Sequence, residues 1–322
     1  MNKQEKVCAI VVTYNRKNHL IKCLEAILNQ TRPVDAIYII DNASTDGTPE
    51  LLKEKGFIKD LPPKKLNKPW EKKFKKNNIP IYYVRINENT GGAGGFYEGI
   101  KRAYEKGYDW FWLMDDDGIP DIKCLETLLK YKEKGDFLAP LVIDINKKNE
   151  LSFGIWDVEN KKIIKNVHDV KKEIYEKTAN PFNGILISKK LVSKIGLPKK
   201  EMFIWGDEKE YLLRALKNNF NVLTISKAIH YHPKGRVNNK KILNLFYVNW
   251  SKNVLKNYCG IRNKAFILKK YSKFPYLSLL KFFLKYGIAS LFDKEIDFKF
   301  FKKAFFDGIK EVWGEEKKYL EK

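Results

Sequence analysis

The chain has 322 residues and is 44% hydrophobic, so it can bury a sizeable core and is long enough for two domains. Its 62 basic against 39 acidic residues leave a net charge of +23, which calls for an anionic partner such as a phosphorylated substrate, a membrane surface or nucleic acid. Four scattered cysteines, Cys8, Cys23, Cys124 and Cys259, form no C-x-x-C pair and argue against a zinc ribbon or a disulfide framework.

Residues 7–12 are apolar and β-branched, predicting a buried first strand that ends in Thr13-Tyr14-Asn15-Arg16. Residues 20–28 carry helical periodicity. Residues 36–40 predict a second strand ending in Asp41 and Asn42, and the cluster 44–49 opens the next helix. Residues 59–78 are basic and Pro-containing with weak periodicity, and are expected to form a surface insertion. Residues 79–86 predict a third strand, followed by Asn89, a glycine-rich turn and a helix over 96–106. Residues 110–114 predict a fourth strand running straight into Asp115, Asp116 and Asp117. Such alternation predicts a parallel sheet with helices on both faces, whose ligands bind beyond the carboxyl ends of the strands. Thr13, Asp41, Asn89 and Asp115 fall at those ends.

A helix over 123–134, a strand over 137–144 and short strands between 151 and 170 follow. Trp205-Gly206 then precedes Asp207, Glu208 and Glu210 at the head of a helix, and a strand over 222–225 leads to His230-Tyr231-His232. The expected division is a catalytic domain over 1–235, with a nucleotide half (1–120) and an acceptor half (121–235), and a basic, aromatic, mainly helical region over 236–322. From Pro233 onward 21 basic and 8 acidic residues give a net +13. Residues 276–292 are strongly apolar and interrupted by Lys281 and Lys285, which suits an interfacial membrane helix and a helix packed on the catalytic domain equally well. No apolar run of about 20 residues predicts a spanning helix. The N-terminus enters a strand-like run without a signal peptide, so a cytoplasmic protein is expected.

Three adjacent carboxylates repel one another and need a counter-charge, most simply a hard divalent cation bridging to phosphate. Strand alternation turns Asp115 and Asp117 to one side and Asp116 to the other. The glycines from Gly91 to Gly95 allow close backbone approach, and backbone N–H groups at a helix start favour an anion. They match no dinucleotide fingerprint, and no P-loop is present. Asp207 and Glu208 suit a helix N-terminus on dipole grounds alone, yet Trp205 beside them makes a partly apolar pocket in which a carboxylate can act as general base. Two of the chain's four histidines, His230 and His232, lie at one strand end and point to a ligand role.

In order, T-Y-N-R, D-N-A-S-T-D-G-T, N-x-G-G-A-G-G-F, W-x-W-L-M-D-D-D-G, W-G-D-E and a late histidine resemble the family 2 glycosyltransferases of the GT-A fold. The nearest subgroup is the bacterial and archaeal galactofuranosyl- and rhamnosyltransferases, with the glycine and triple-Asp motifs most similar to the former. The resemblance spans residues 7–270 and takes in an Arg-Asn pair within 258–270. It implies an α/β fold with a Rossmann-like, mostly parallel central sheet flanked by helices. Thr13 and Asp41 would then hold the nucleotide base, with Asp41 accepting from a ring N–H, and Asn15 would belong to the wider nucleotide-sugar set. Asn89, Gly91, Gly92 and Gly95 would line the nucleotide-sugar. Asp115 and Asp117 would hold Mn²⁺ or Mg²⁺. Asp116 belongs to the nucleotide-sugar set without a sharper role, since it should face away. His230 would complete the metal shell with His232 as competitor, and spacing does not choose between them. Asp207 would be the base, with Glu208 and Trp205 on the acceptor side. The implied reaction is inverting transfer from a UDP- or dTDP-sugar, galactofuranose first and rhamnose second, to a glycan or polyprenyl-linked acceptor. The basic tail fits attachment to the inner face of the cell membrane, and a homo-oligomer is compatible with the sequence. A nucleic-acid-binding protein is the rival reading, but no DNA or RNA module is present and an acidic centre repels phosphate.

Overall fold

Residues 5–235 and 239–320 are described by a computed structural model, and the chain groups into two units. The first comprises Met1–Pro198 and Arg214–Gly235, the second Lys199–Leu213 and Arg236–Lys322. The expected division at residue 235 therefore differs in one respect: the segment carrying Asp207 belongs with the C-terminal region. The reason is hydrogen bonding. The buried Arg262 donates to the carbonyls of Glu201 (3.2 Å) and Met202 (2.9 Å), and Asn263 Nδ2 reaches those of Met202, Ile204 and Trp205 at 2.7–3.0 Å. Buried carbonyls need donors, and these two side chains supply them.

In the first unit, β1 (Val7–Thr13) lies between two parallel neighbours. Helix α1 (Lys17–Leu28) follows β1, and the neighbours are β2 (Ala36–Asp41) and, later in the chain, the triple-Asp strand. The short α2 (Thr48–Glu54) leads to β3 (Trp70–Lys76), which pairs antiparallel with β4 (Ile79–Arg85) at the sheet edge. Part of the expected insertion is thus a strand. Asn77 and Asn78 both adopt positive φ (49° and 64°), as a two-residue hairpin turn requires, and Phe74 joins the core while the lysines around it face water.

Helix α3 (Gly91–Glu105) begins at the glycines themselves, five residues before the expected start. A Cβ on Gly95 would lie 2.4 Å from Val12 Cγ1, and one on Gly99 2.4 Å from Ile10 Cγ2. Side chains are therefore excluded where α3 presses on β1. On the opposite face, Leu20, Leu24 and Ile27 of α1 pack against Val7, Ala9 and Val11.

β5 (Trp110–Asp115) pairs with β1, and β6 (Ile119–Pro120) and α4 (Cys124–Leu129) follow. β7 (Phe137–Asp144), the hairpin β8 (Glu150–Asp157) and β9 (Lys162–Asn166), and β10 (Ile174–Glu176) precede β11 (Asn183–Ser188), which inserts antiparallel between β5 and β7. After α5 (Lys189–Ile195) and α6 (Asp207–Lys217) comes β12 (Val222–His232), parallel to β7. The order across the sheet is β10-β12-β7-β11-β5-β1-β2-β4-β3.

The second unit holds the hairpin β13 (Asn239–Ile242) and β14 (Phe246–Asn249) and three helices, α7 (Val254–Tyr271), α8 (Pro275–Phe292) and α9 (Phe298–Lys310). Its core is aromatic: Tyr258, Phe282, Tyr286, Phe301 and Phe305 are buried together. Among the described residues no helix is long and apolar enough to cross a membrane.

Candidate active site

Sheet register lines up the strand ends. Thr13 stands opposite Asp41, Asp41 opposite Arg85, and Asp115 opposite Val12. β6 then pairs with the end of β12, His230 opposite Pro120 and Tyr231 opposite Ile119. This pairing folds the β12 terminus over the triple-Asp segment.

The outcome is a cluster of Asp115, Asp117 and His232, each offering a ligand atom within 4.8 Å of the others. His232 Nε2 lies 3.0 Å from Asp117 Oδ1, while Nδ1 hydrogen-bonds the Pro233 carbonyl at 2.6 Å. A carbonyl accepts only, so Nδ1 is protonated in either charge state, and Nε2 is the nitrogen that faces the carboxylates and becomes a metal-binding lone pair once it loses its own proton. Asp117 Oδ1 is buried and has no aligned hydrogen-bond donor; its approach to His232 is a charge contact. Two carboxylates and an imidazole with a buried oxygen still lacking a donor fit a hard or borderline divalent cation.

His230, the first choice for that shell, is elsewhere. It is fully buried, neither ring nitrogen has a partner, and burial, its largest cause, pushes its pKa down to about 3. The ring lies in a slot between Gly118 and Gly184, where a Cβ on either glycine would come within 2.4–2.7 Å of it. His230 is a neutral support beneath the Asp115–Gly118 turn, and His232 takes the place at the carboxylates.

Electrostatics follow from burial and neighbours. Desolvation, then Asp117 and Asp116, push Asp115 up to about 7. Burial would raise Asp117 too, but His232 and Arg16 outweigh it and hold Asp117 down to about 2. For His232 the balance is the reverse: burial lowers it, and Asp117 more than compensates, so the imidazole stays above its ordinary value.

Asp116 does turn from the cluster, yet it has firm partners. Thr13 Oγ1 donates to its Oδ2 at 2.6 Å, and Arg16 approaches Oδ1 at 3.5 Å while also pairing with Asp117. Burial pushes Asp116 up to about 6. Arg16, present in the T-Y-N-R motif without an assigned role, is the counter-charge of the acidic turn. Asp41 is fully buried and accepts from Tyr83 (2.6 Å), Arg85 (2.6 Å) and the Ser44 N–H (2.8 Å). A carboxylate has about four acceptor positions, so one remains.

The Asn89 turn is held by a residue sequence reasoning passed over. Asn42 donates to Asn89 Oδ1 (3.0 Å) and the Gly91 carbonyl (2.9 Å), and accepts from the Thr90 N–H (2.9 Å). Gly91 has φ 69° and Gly92 faces open space, whereas Gly95 is taken up by packing on Val12. Asn15, at φ 55°, accepts from the Thr45 N–H at 2.6 Å and so ties the β1 end to the loop after β2. Asn183 is also buried, with Oδ1 lacking a partner.

In the second unit, Phe203, Trp205 and Gly206 all have positive φ (64°, 61° and 102°). For two aromatic residues that backbone is strained, and the Arg262 and Asn263 hydrogen bonds hold it. The loop delivers Asp207 to the first position of α6, where the side chain is buried. Glu208 reaches back to the Gly206 N–H at 2.9 Å, fixing the loop.

Glycosyl transferase family 2 matches residues 8–196. Galactofuranosyltransferase GlfT1 of Mycolicibacterium smegmatis is 28% identical over 279 residues, covering 84% of this chain and 85% of that protein. The dTDP-rhamnosyl transferase RfbF of Shigella flexneri is 22% identical over 318 residues, covering 96% and 97%. The crystal structure of S. aureus TarS superposes with a TM-score of 0.53 at 13% identity, spanning 98% of this chain and half of that one. Its 1–349 form in complex with UDP-GlcNAc gives the same TM-score at 14% identity, spanning 98% and 83%. The likeness to TarS is one of fold, and the mixed, mostly parallel sheet between helices is the GT-A architecture. With that sheet, and a family match over more than half its length, the chain belongs to glycosyl transferase family 2.

Proposed function

We propose that the chain is a metal-dependent, inverting glycosyltransferase that moves galactofuranose from a UDP donor to a hydroxyl of a glycan built on a polyprenyl-linked precursor. The observation that carries this reading is the meeting of Asp115, Asp117 and His232 at the strand ends that also hold Thr13 and Asp41. Mn²⁺ or Mg²⁺ held by those three side chains would neutralise charge developing on the leaving diphosphate. Asp41, with one acceptor position left, takes the base N–H, and Asn42 fixes the Asn89–Gly92 turn against the nucleotide. Asp207 removes the proton of the attacking hydroxyl, whose own acidity is far too weak at neutral pH. One base and no protein nucleophile make a single displacement, hence inversion. Galactofuranose is favoured by the name of the GlfT1 relative. The RfbF relative supports dTDP-rhamnose as the second reading.

The proposed acceptor brings a membrane with it. Leu277, Leu280, Leu284, Ile288 and Leu291 are exposed along one face of α8, with Lys281 at its border, while Leu279, Phe282, Tyr286 and Ala289 are buried on the other. A helix apolar on two faces has one still to cover. In a chain of net charge +23 its complement is an anionic leaflet, on which α8 would lie rather than span. The function is tested by offering UDP-galactofuranose and dTDP-rhamnose, with Mn²⁺, and a lipid-linked glycan, and weighing the products by mass spectrometry. A galactofuranose adduct is expected; a rhamnose adduct alone selects the second reading, and transfer from neither donor counts against both.

A further inference from the structure

Helix α7 places two lysines, Lys256 and Lys264, on one face at helical spacing with Gly260 between them. A Cβ on Gly260 would lie 3.2 Å from Trp205 Cε3, so the glycine lets the indole rest on the helix between the two lysines. Lys256 Nζ stands 5.5 Å over the Trp205 ring. Lys285 of α8 faces the same space, a cavity of about 260 Å³ completed by Tyr247 and Tyr286. No carboxylate lines it, and among the described residues none of the three lysines has an ion-pair partner. Lys264 is an exposed residue, yet its ammonium sits 4.8 Å over the Phe282 ring. There partial desolvation, and then the charge of Lys285, hold it below the ordinary lysine value. Solvated lysines need no partner. Three that converge from two helices on one aromatic-floored cavity repel one another and gain from a shared anion. The cavity floor, Trp205, is two residues from Asp207 on the same loop.

We infer that this cavity is a subsite for the phosphate or diphosphate group of a lipid-linked acceptor, anchoring it beside Asp207. The inference rests on the acceptor class proposed above. Lysine ammoniums suit phosphate oxygens, and the aromatic lining suits the first apolar or sugar groups on either side.

The test is titration of the full-length protein with farnesyl diphosphate, without added metal and with EDTA, by calorimetry. Lys264→Gln and Lys285→Gln are compared with Lys294→Gln, an exposed lysine outside the cavity. The wild type and Lys294→Gln should bind alike, and each cavity variant should bind roughly tenfold more weakly, as loss of one charge-assisted contact implies. Unchanged melting temperatures verify folding. Equal affinity in cavity variants and wild type overturns the assignment, as does equal affinity for farnesol. The double variant Lys264→Gln/Lys285→Gln losing phosphatidylglycerol vesicles but keeping farnesyl diphosphate also overturns it, since the cavity would then read bilayer headgroups. Lysine-dependent diphosphate binding in a protein that transfers no sugar upholds the subsite and removes the functional reading instead.

Discussion

His232 and His230 sit two residues apart on one strand and do unlike work. Replacing His232 with Ala removes one of the three side chains proposed to hold the cation, so Mn²⁺ affinity should fall at least roughly tenfold while the fold is kept. Replacing His230 with Ala leaves a hole under the Asp115–Gly118 turn and should cost on the order of 2–3 kcal/mol of stability, read by denaturant melts. If His230→Ala abolished metal binding in a protein as stable as wild type, the two assignments would have to be exchanged. Titrating Mn²⁺ across pH adds a sign. Asp115, raised to about 7, and His232, above its ordinary value, must both lose a proton to take up a cation. Affinity should therefore rise from pH 6 to pH 8 with proton release, and a flat profile would contradict the cluster. The sequence pointed to Asp115 and Asp117 through alternation, but alternation puts both histidines on one face of a strand. What separates them is the β12–β6 register, a contact across more than 100 residues that no local pattern carries. Asn42 and Arg16 were passed over for a similar reason: each was visible in a motif, and only tertiary partners reveal its work.

At the scale of elements, helix α3 shows how glycine is used twice. Its first glycines form the turn that the nucleotide is proposed to meet, and Gly95 and Gly99 bring the helix onto β1. Gly95→Ala should therefore destabilise by about 1–3 kcal/mol, because its methyl must displace Val12. Gly92→Ala meets nothing and should leave stability equal or slightly higher, since Ala favours helix. Equal losses at both positions would show that the close approach is not what Gly95 serves. The parallel strands were legible because buried strands read as continuous apolar runs, as in residues 7–12 and 110–114. The edge strand β3 was not: Trp70 and Phe74 are the only large apolar residues among its lysines, and an edge strand needs few. The Asn77-Asn78 turn was its one local signal.

For the whole molecule, the exposed stripe of α8 and the positive charge make vesicle binding the relevant measurement. The protein should sediment with phosphatidylglycerol vesicles at low salt, and Leu280→Ser/Leu284→Ser/Leu291→Ser should release it. A variant that instead turns a dimer into a monomer, with vesicle binding unchanged, would assign the stripe to a second copy of the chain. The two units also divide the proposed chemistry: metal and nucleotide residues lie in the first, Asp207 and its strained loop in the second. Asp207 is proposed to serve the transfer step and not donor binding. Its most direct test is Asp207→Asn, with UDP affinity measured in Mn²⁺ alongside sugar transfer to a lipid-linked glycan. UDP affinity should be unchanged and transfer lower by roughly 10²–10⁴-fold, the usual range for a lost general base. Transfer within a few-fold of wild type would contradict it.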